Sequence, residues 1–177
     1  IGALYVRRGT TLEPLMRGGA QDRGRRPGTE NVAMAVGLAV AAELAVAERE
    51  GETSRLAGLR DRLESAILER VPDAVVHGRG ARARAPHIVN VSVPGTDSES
   101  MLMALDLQGI AASGGSACQS GSVMPSHVLS AIGVRSDLAS AAVRLSMGHE
   151  TTAAEVDRAA AVFASLAAKA RGLAVVT

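Results

Sequence analysis

The chain has 177 residues, 47% of them hydrophobic and 21% charged, with a formal net charge of +1 and a mean hydropathy of +0.16. That is a globular composition, which excludes a disordered or collagen-like chain; the balanced charge excludes the broad basic field of a non-specific nucleic-acid binder. Aromatics are limited to Tyr5 and Phe163, which excludes a stacking groove for single strands and leaves a core of Ala, Val, Leu, Ile and Met.

Arginine outnumbers lysine heavily, Lys169 being the only lysine, and alanine is abundant; both read as compositional bias rather than function. The one cysteine, Cys118, excludes an internal disulfide framework and a multi-cysteine zinc site, and fits a reducing, cytoplasmic location. His77, His87, His127 and His149 show no metal-ligand spacing, so no metal site is expected. The longest apolar run, Val32 to Ala42, stops at Glu43, short of the ~20 residues of a membrane span. The first residues, IGALYVRR, are apolar and then basic, the reverse of a signal peptide. A chain starting on Ile is read as a fragment or a processed piece.

Ile1 to Val6 is short and apolar and predicts a buried strand; Leu12 to Met16 is a second short candidate. The loop from Arg17 to Asn31 is dense in Gly and Arg, and Thr29 is placed to cap a helix running from about Asn31 to Arg49. The first half of that helix is apolar nearly all round, which predicts cover on both sides. Gly51 is read as a break. A second helix, about Glu52 to Arg70, carries Leu56, Leu59, Leu63, Ile67 and Leu68 on one face and stops at Pro72.

Ala74 to His77 and His87 to Val93 predict strands around a polar loop, GRGARARAP. Ser98 to Leu107 predicts a helix ended by Gly109, and Ile110 to Ser113 a short strand. Gly114 to Pro125 is a loop of small residues. Ser126 caps a short helix from His127 to Ile132, Ala142 to Met147 reads as a strand, and Thr152 opens an amphipathic helix to about Arg171. Alternating strands and helices indicate an α/β or α+β class. The domain boundary falls near Gly51: residues 1–50 read as the end of a larger domain, residues 51–177 as a compact smaller one.

Three features bear on chemistry. Cys118 lies in GGSACQSG, where small neighbours favour an accessible sulfur; an incidental surface thiol is the alternative. The Arg17–Asn31 loop offers guanidinium groups, glycine N–H groups and a helix N-terminus, the parts of an anion site; a solvated basic loop is its alternative. Arg144, inside the apolar AAVRLSMG, is out of phase with Val143 and Leu145. It either pairs with an internal carboxylate or faces a cleft and binds one.

IGALYVRR, GGAQDRGRRPGTEN, PHIVNVSVPG, SESMLMALDLQGIAASGGSAC, PSHVLSAIG and VRLSMGHETTAAEVD, in that order, cover essentially the whole chain. Together they resemble the C-terminal part of a group I cysteine desulfurase of the NifS/IscS kind, among the class V aminotransferase-like pyridoxal-phosphate enzymes. The resemblance implies the small C-terminal domain of a fold-type I enzyme, preceded by the last strand and long helix of its large pyridoxal-phosphate-binding domain. It implies that L-cysteine becomes L-alanine while its sulfur passes as a persulfide to Cys118, for iron–sulfur clusters or tRNA thiolation. Arg144 then holds the substrate carboxylate. Thr29 reaches the cofactor phosphate of the other subunit of a homodimer, and a sulfur-acceptor or iron–sulfur scaffold protein is a partner. His149 stands where Arg is expected and Pro27 where Ser is expected. The family's cofactor lysine falls before Ile1, and Lys169 on the last helix cannot stand in for it, so the chain alone is expected to be inactive. Two other readings remain: a cofactor-free persulfide-relay or interaction module, and another class V enzyme such as a selenocysteine lyase.

Overall fold

The computed structural model describes residues 1–114 and 126–172. It divides into two compact units, Ile1–Arg49 and Glu50–Thr177.

The second unit is built on a four-stranded antiparallel sheet in the order β1-β2-β4-β3, with β1 Val75–Val76, β2 Ile88–Ser92, β3 Ser113–Gly114 and β4 Ala142–Ser146. Side chains alternate across a strand, so β2 and β4 each divide their residues between two faces. Val89, Val91, Val143 and Leu145 fall on one face and are buried. They share a core with Leu63 and Ile67 of α2 (Val32–Arg70), Leu105 of α3 (Ser98–Leu107), and Val156, Ala160 and Phe163 of α6 (Ala153–Ala170). Each large side chain buried there contributes about 1.5–3 kcal/mol of apolar transfer. On the opposite face a smaller cluster joins Ala142 to Leu129 of α4 (His127–Ala131) and Ala139 of α5 (Ser136–Ser140).

Local chemistry fixes the helix starts. Asp97 accepts from the Ser100 N–H at 2.8 Å ahead of α3, and Ser126 accepts from the Leu129 N–H at 3.4 Å ahead of α4. Ahead of α6, Thr152 and Glu155 form a reciprocal capping box.

Glu64 of α2 is only 2% exposed. Its carboxylate takes two hydrogen bonds from the Arg84 guanidinium, and Arg79 approaches at 3.8 Å. The GRGARARAP segment between β1 and β2 therefore supplies the counter-charge for a carboxylate inside the helix layer. A buried charge is tolerable only with such a partner.

Several expectations are corrected. Ile1–Val6 and Leu12–Met16 carry no strand. A strand needs a neighbour for its N–H and C=O groups, and the described residues of the first unit include none. The last strand expected for a large domain is thus absent from the described residues. Gly51 does not interrupt the helix: α2 runs unbroken from Val32 to Arg70. A glycine inside a helix costs about 1 kcal/mol, which helix formers such as Ala47, Glu48, Arg49 and Glu50 outweigh. Thr29 does not cap it. Asn31 does, its side-chain oxygen accepting from the Met34 N–H at 3.1 Å and its carbonyl from the Ala35 N–H at 3.0 Å. Along the apolar first half of that helix, Val32, Met34, Val36, Val40, Leu44 and Val46 are exposed. The short helix α5 was not expected.

Candidate functional site

Arg144 stands at the middle of β4, with Asn90 of β2 as its register partner on one side and Ser113 of β3 on the other. Directly paired residues share a face, so the three form one polar row across the sheet. Because Val143 and Leu145 turn into the core, Arg144 turns away from it and is exposed. Among the described residues no ion pair engages it. Of the two readings open from the sequence, the internal ion pair finds no partner among them. A planar guanidinium presented on an open sheet face is suited to two-pronged capture of a carboxylate.

At the covered end of the same face, Ser92 is fully buried. Its hydroxyl donates to the Leu138 carbonyl at 2.6 Å and lies 2.7 Å from His77 Nε2. The single hydroxyl proton goes to Leu138, so the imidazole is the donor to Ser92. Burial holds the His77 pKa below its ordinary value.

The turn after β4 is fixed by Arg55 of α2. It donates to the carbonyls of Thr151 at 2.7 Å, Gly148 at 3.0 Å and His149 at 2.9 Å, and to both carboxylate oxygens of Glu52. The Arg55 hydrogen bonds hold the Glu52 carboxyl below the usual range. His149 Nδ1 lies 3.7 Å from Glu52, so the residue standing where Arg was expected faces an acid already satisfied by another arginine.

Cys118 lies outside the described residues; it follows Gly114, the last residue of β3, by four positions in the sequence. Thr29 is exposed in the first unit, two residues ahead of the Asn31 cap. In the same loop Arg26 pairs with Asp22 at 2.7 Å. Asp22 and Arg23, in the short turn α1 (Gln21–Gly24), adopt left-handed φ of 48° and 61°. A side chain at Gly18 would press to 2.8 Å of Pro27 Cβ, so this loop needs its glycine. Arg23, Arg25 and Arg26 line a concavity of about 500 Å³ together with Gly2, Leu4 and Leu12.

Pyridoxal phosphate calls for an imine-forming lysine beside the substrate carboxylate. Lys169 is exposed in the last turn of α6, a helix packed on the apolar face of the sheet, opposite to Arg144. The residues around Arg144 therefore do not include that amine, and the described residues do not by themselves make a cofactor site. Among them no group of three or more His, Cys, Asp and Glu is placed to hold a metal ion, and no helix is long and apolar enough to cross a membrane.

The sequence reading singled out Arg144 and missed Asn90 and Ser113. The signal for Asn90 was available: it is a polar residue in the alternating IVNVS of β2, in phase with Ser92 and out of phase with the valines. Its pairing with Arg144 was not, because register is set between segments far apart in sequence.

The chain matches the family model described as aminotransferase class-V over residues 1–159. It is 50% identical over 97% of its length to a cysteine desulfurase of Gluconacetobacter diazotrophicus and 48% identical over 89% to the cysteine desulfurase NifS of Azotobacter vinelandii. It covers 42% and 39% of those relatives, about two fifths of their length. Among solved structures, it resembles a NifS-like protein at 31% identity, with a TM-score of 0.76 over 90% of this chain and 40% of that one. A NifS-like protein from Rickettsia africae shares 26% identity, with a TM-score of 0.72 over 93% of this chain and 41% of that one.

Proposed function

Because the chain belongs to the class-V aminotransferase family, we propose that it is the part of a group I cysteine desulfurase that binds the substrate carboxylate and accepts the sulfur. In this reading L-cysteine becomes L-alanine and its sulfur passes to the Cys118 thiolate as a persulfide. The nucleophile is the thiolate, and it leaves the substrate sulfur on Cys118 for delivery to an acceptor protein. Pyridoxal 5′-phosphate, when bound, supplies the electron sink for this chemistry, with its lysine contributed from outside the present 177 residues.

One observation carries the proposal. Arg144 stands outside every described ion pair on the open face of the sheet, and Ser113, directly beside it, belongs to the strand that precedes the Cys118 segment. Carboxylate capture and sulfur acceptance thus belong to neighbouring parts of the chain. Residues 1–50 are assigned to the end of a larger cofactor-binding domain and residues 51–177 to the small domain. The exposed apolar face of Val32–Val46 supports further protein covering the first unit. Thr29, with its exposed hydroxyl in an arginine- and glycine-rich loop, is assigned to the cofactor phosphate of the partner subunit in a homodimer. The single cysteine supports a reducing, cytoplasmic setting.

The test uses a holoenzyme in which this chain replaces the matching segment of the Gluconacetobacter diazotrophicus relative, reconstituted with pyridoxal phosphate. Brief exposure to L-cysteine, alkylation and peptide mapping should place a one-sulfur mass increment on the Cys118 peptide, with matching alanine release. Cys118→Ala should keep the cofactor and its visible spectrum and release almost no alanine. Full alanine release from Cys118→Ala would overturn the reading. No sulfur on Cys118 from L-cysteine, together with transfer to Cys118 from a supplied small-molecule persulfide whose thiol is released, would favour a cofactor-free relay instead.

A further inference from the structure

We propose that Asn90 is the positioning residue that sets the plane of the Arg144 guanidinium for a bound carboxylate. The inference rests on the reading that Arg144 captures the substrate carboxylate.

Asn90 and Arg144 are directly paired across β2 and β4, which places their Cβ atoms about 4.5–5.5 Å apart on one face. The Asn90 Oδ1 is buried and has no hydrogen-bond partner among the described residues. Buried amide oxygens are almost always satisfied, so an orphan next to a candidate site calls for an explanation. The same-face neighbours along β2 cannot supply the donor. Ile88 has none, and the Ser92 hydroxyl proton is committed to the Leu138 carbonyl. Across the row, the Ser113 hydroxyl donates to the Gly114 carbonyl at 3.0 Å. Arg144 does not donate to it in this structure either, but it is the adjacent donor still uncommitted to any described ion pair, exposed and carrying five N–H groups. The contact is therefore one made when the guanidinium turns to a carboxylate.

The fork geometry shows what the contact does. A carboxylate occupies two parallel N–H groups on one edge of the guanidinium and leaves others free. One of those, donated to Asn90 Oδ1, fixes the plane of the fork without using the edge that meets the substrate. A neutral acceptor suits this task better than an acid. A carboxylate at position 90 would itself take the two-pronged edge and compete with the ligand. Asparagine orients the cation and leaves its charge uncompensated.

The holoenzyme described above tests this with 3-mercaptopropionate, which keeps the carboxylate and thiol of cysteine and lacks the amine; its methyl ester is the uncharged control. Calorimetry should show Asn90→Ala weakening 3-mercaptopropionate about tenfold, as loss of one charge-assisted hydrogen bond implies. The ester should bind the variant and the parent alike. The KM for L-cysteine should rise by a similar factor with kcat nearly unchanged. Asn90→Asp, which keeps the side-chain shape, should weaken the acid further and still spare the ester. In an Arg144→Ala background, Asn90→Ala should add less than about a twofold further loss, because the two residues act as one unit. Unchanged binding in Asn90→Ala and Asn90→Asp, or losses that multiply in the double variant, would overturn the inference while leaving Arg144 in place. An Arg144→Ala variant that binds 3-mercaptopropionate as the parent does would instead remove the underlying reading, and this inference with it.

Discussion

The two faces of the sheet in the second unit are made from the same strands and do opposite work. On one, Val89, Val91, Val143 and Leu145 are closed off under α2, α3 and α6. On the other, α4 and α5 cover the end at Ala142 and Ser92, and the row of Asn90, Arg144 and Ser113 lies beyond them. Consecutive residues of β4 thus turn in sequence to the apolar core and to the open face, where the proposed carboxylate site lies. A strand permits this because its side chains alternate while its backbone hydrogen bonds hold both sets in one register. Substitutions on the two faces should therefore separate: one set should change folding, the other binding.

The largest effect should come from Phe163→Ala in α6, whose side chain is 1% exposed in the apolar core. Urea titration should show a loss of about 3–5 kcal/mol, the range for emptying a buried aromatic site. A loss below about 1 kcal/mol would mean that this face is not the one that holds the unit together. Glu64→Ala should follow at about 3 kcal/mol, since it leaves the Arg84 guanidinium without its buried carboxylate partner. Double substitution of Glu64 and Arg84 should recover part of that loss, and a double variant no better than the single would sink the ion-pair account.

A smaller effect belongs to the covered end of the other face. His77 is neutral more readily in the fold than in the unfolded chain, because burial lowers its pKa from 6.5. The unfolded chain then binds more protons as the pH falls through that value. Stability should be full above about pH 6.5 and decline below it, until the folded imidazole also titrates. Chemical denaturation between pH 5 and 8 should show that slope (about the range over which histidine changes charge) and show it flattened in His77→Gln. The smallest effect on stability should come from Arg144→Ala. Exposed and outside every described ion pair, Arg144 should change the unfolding free energy by less than about 0.5 kcal/mol, even as carboxylate binding collapses. A destabilisation of several kcal/mol would return Arg144 to the structural role that the sequence left open.

Much of this sheet was legible in the chain. The IVNVS and AVRLS alternations predicted β2 and β4 and put Arg144 out of phase with its valine and leucine neighbours. Ser98 to Leu107 was read as a helix with the observed bounds, and Thr152 as the start of the last one. Failures arose where the outcome depended on something distant. Ile1–Val6 has the apolar, β-branched look of a strand, but a strand exists only beside another. Gly51 is a local helix breaker that its neighbours override. Glu64 sits on a helix of mixed polarity, and nothing near it in sequence announces that Arg84, twenty residues later, will neutralise it in a buried position.

Short-range chemistry, written in the order of the residues, settles the period of each element, the caps at Ser126 and Thr152, and the presentation of an arginine on the face away from the core. Which strands become neighbours was settled only by folding, and so was the place of Arg144 between Asn90 and Ser113 rather than beside any other polar pair. Periodicity is a property of adjacent residues, and the chain carries it wherever it goes. Register is a property of segments brought together by the shared burial of their apolar faces, and it has no local signature.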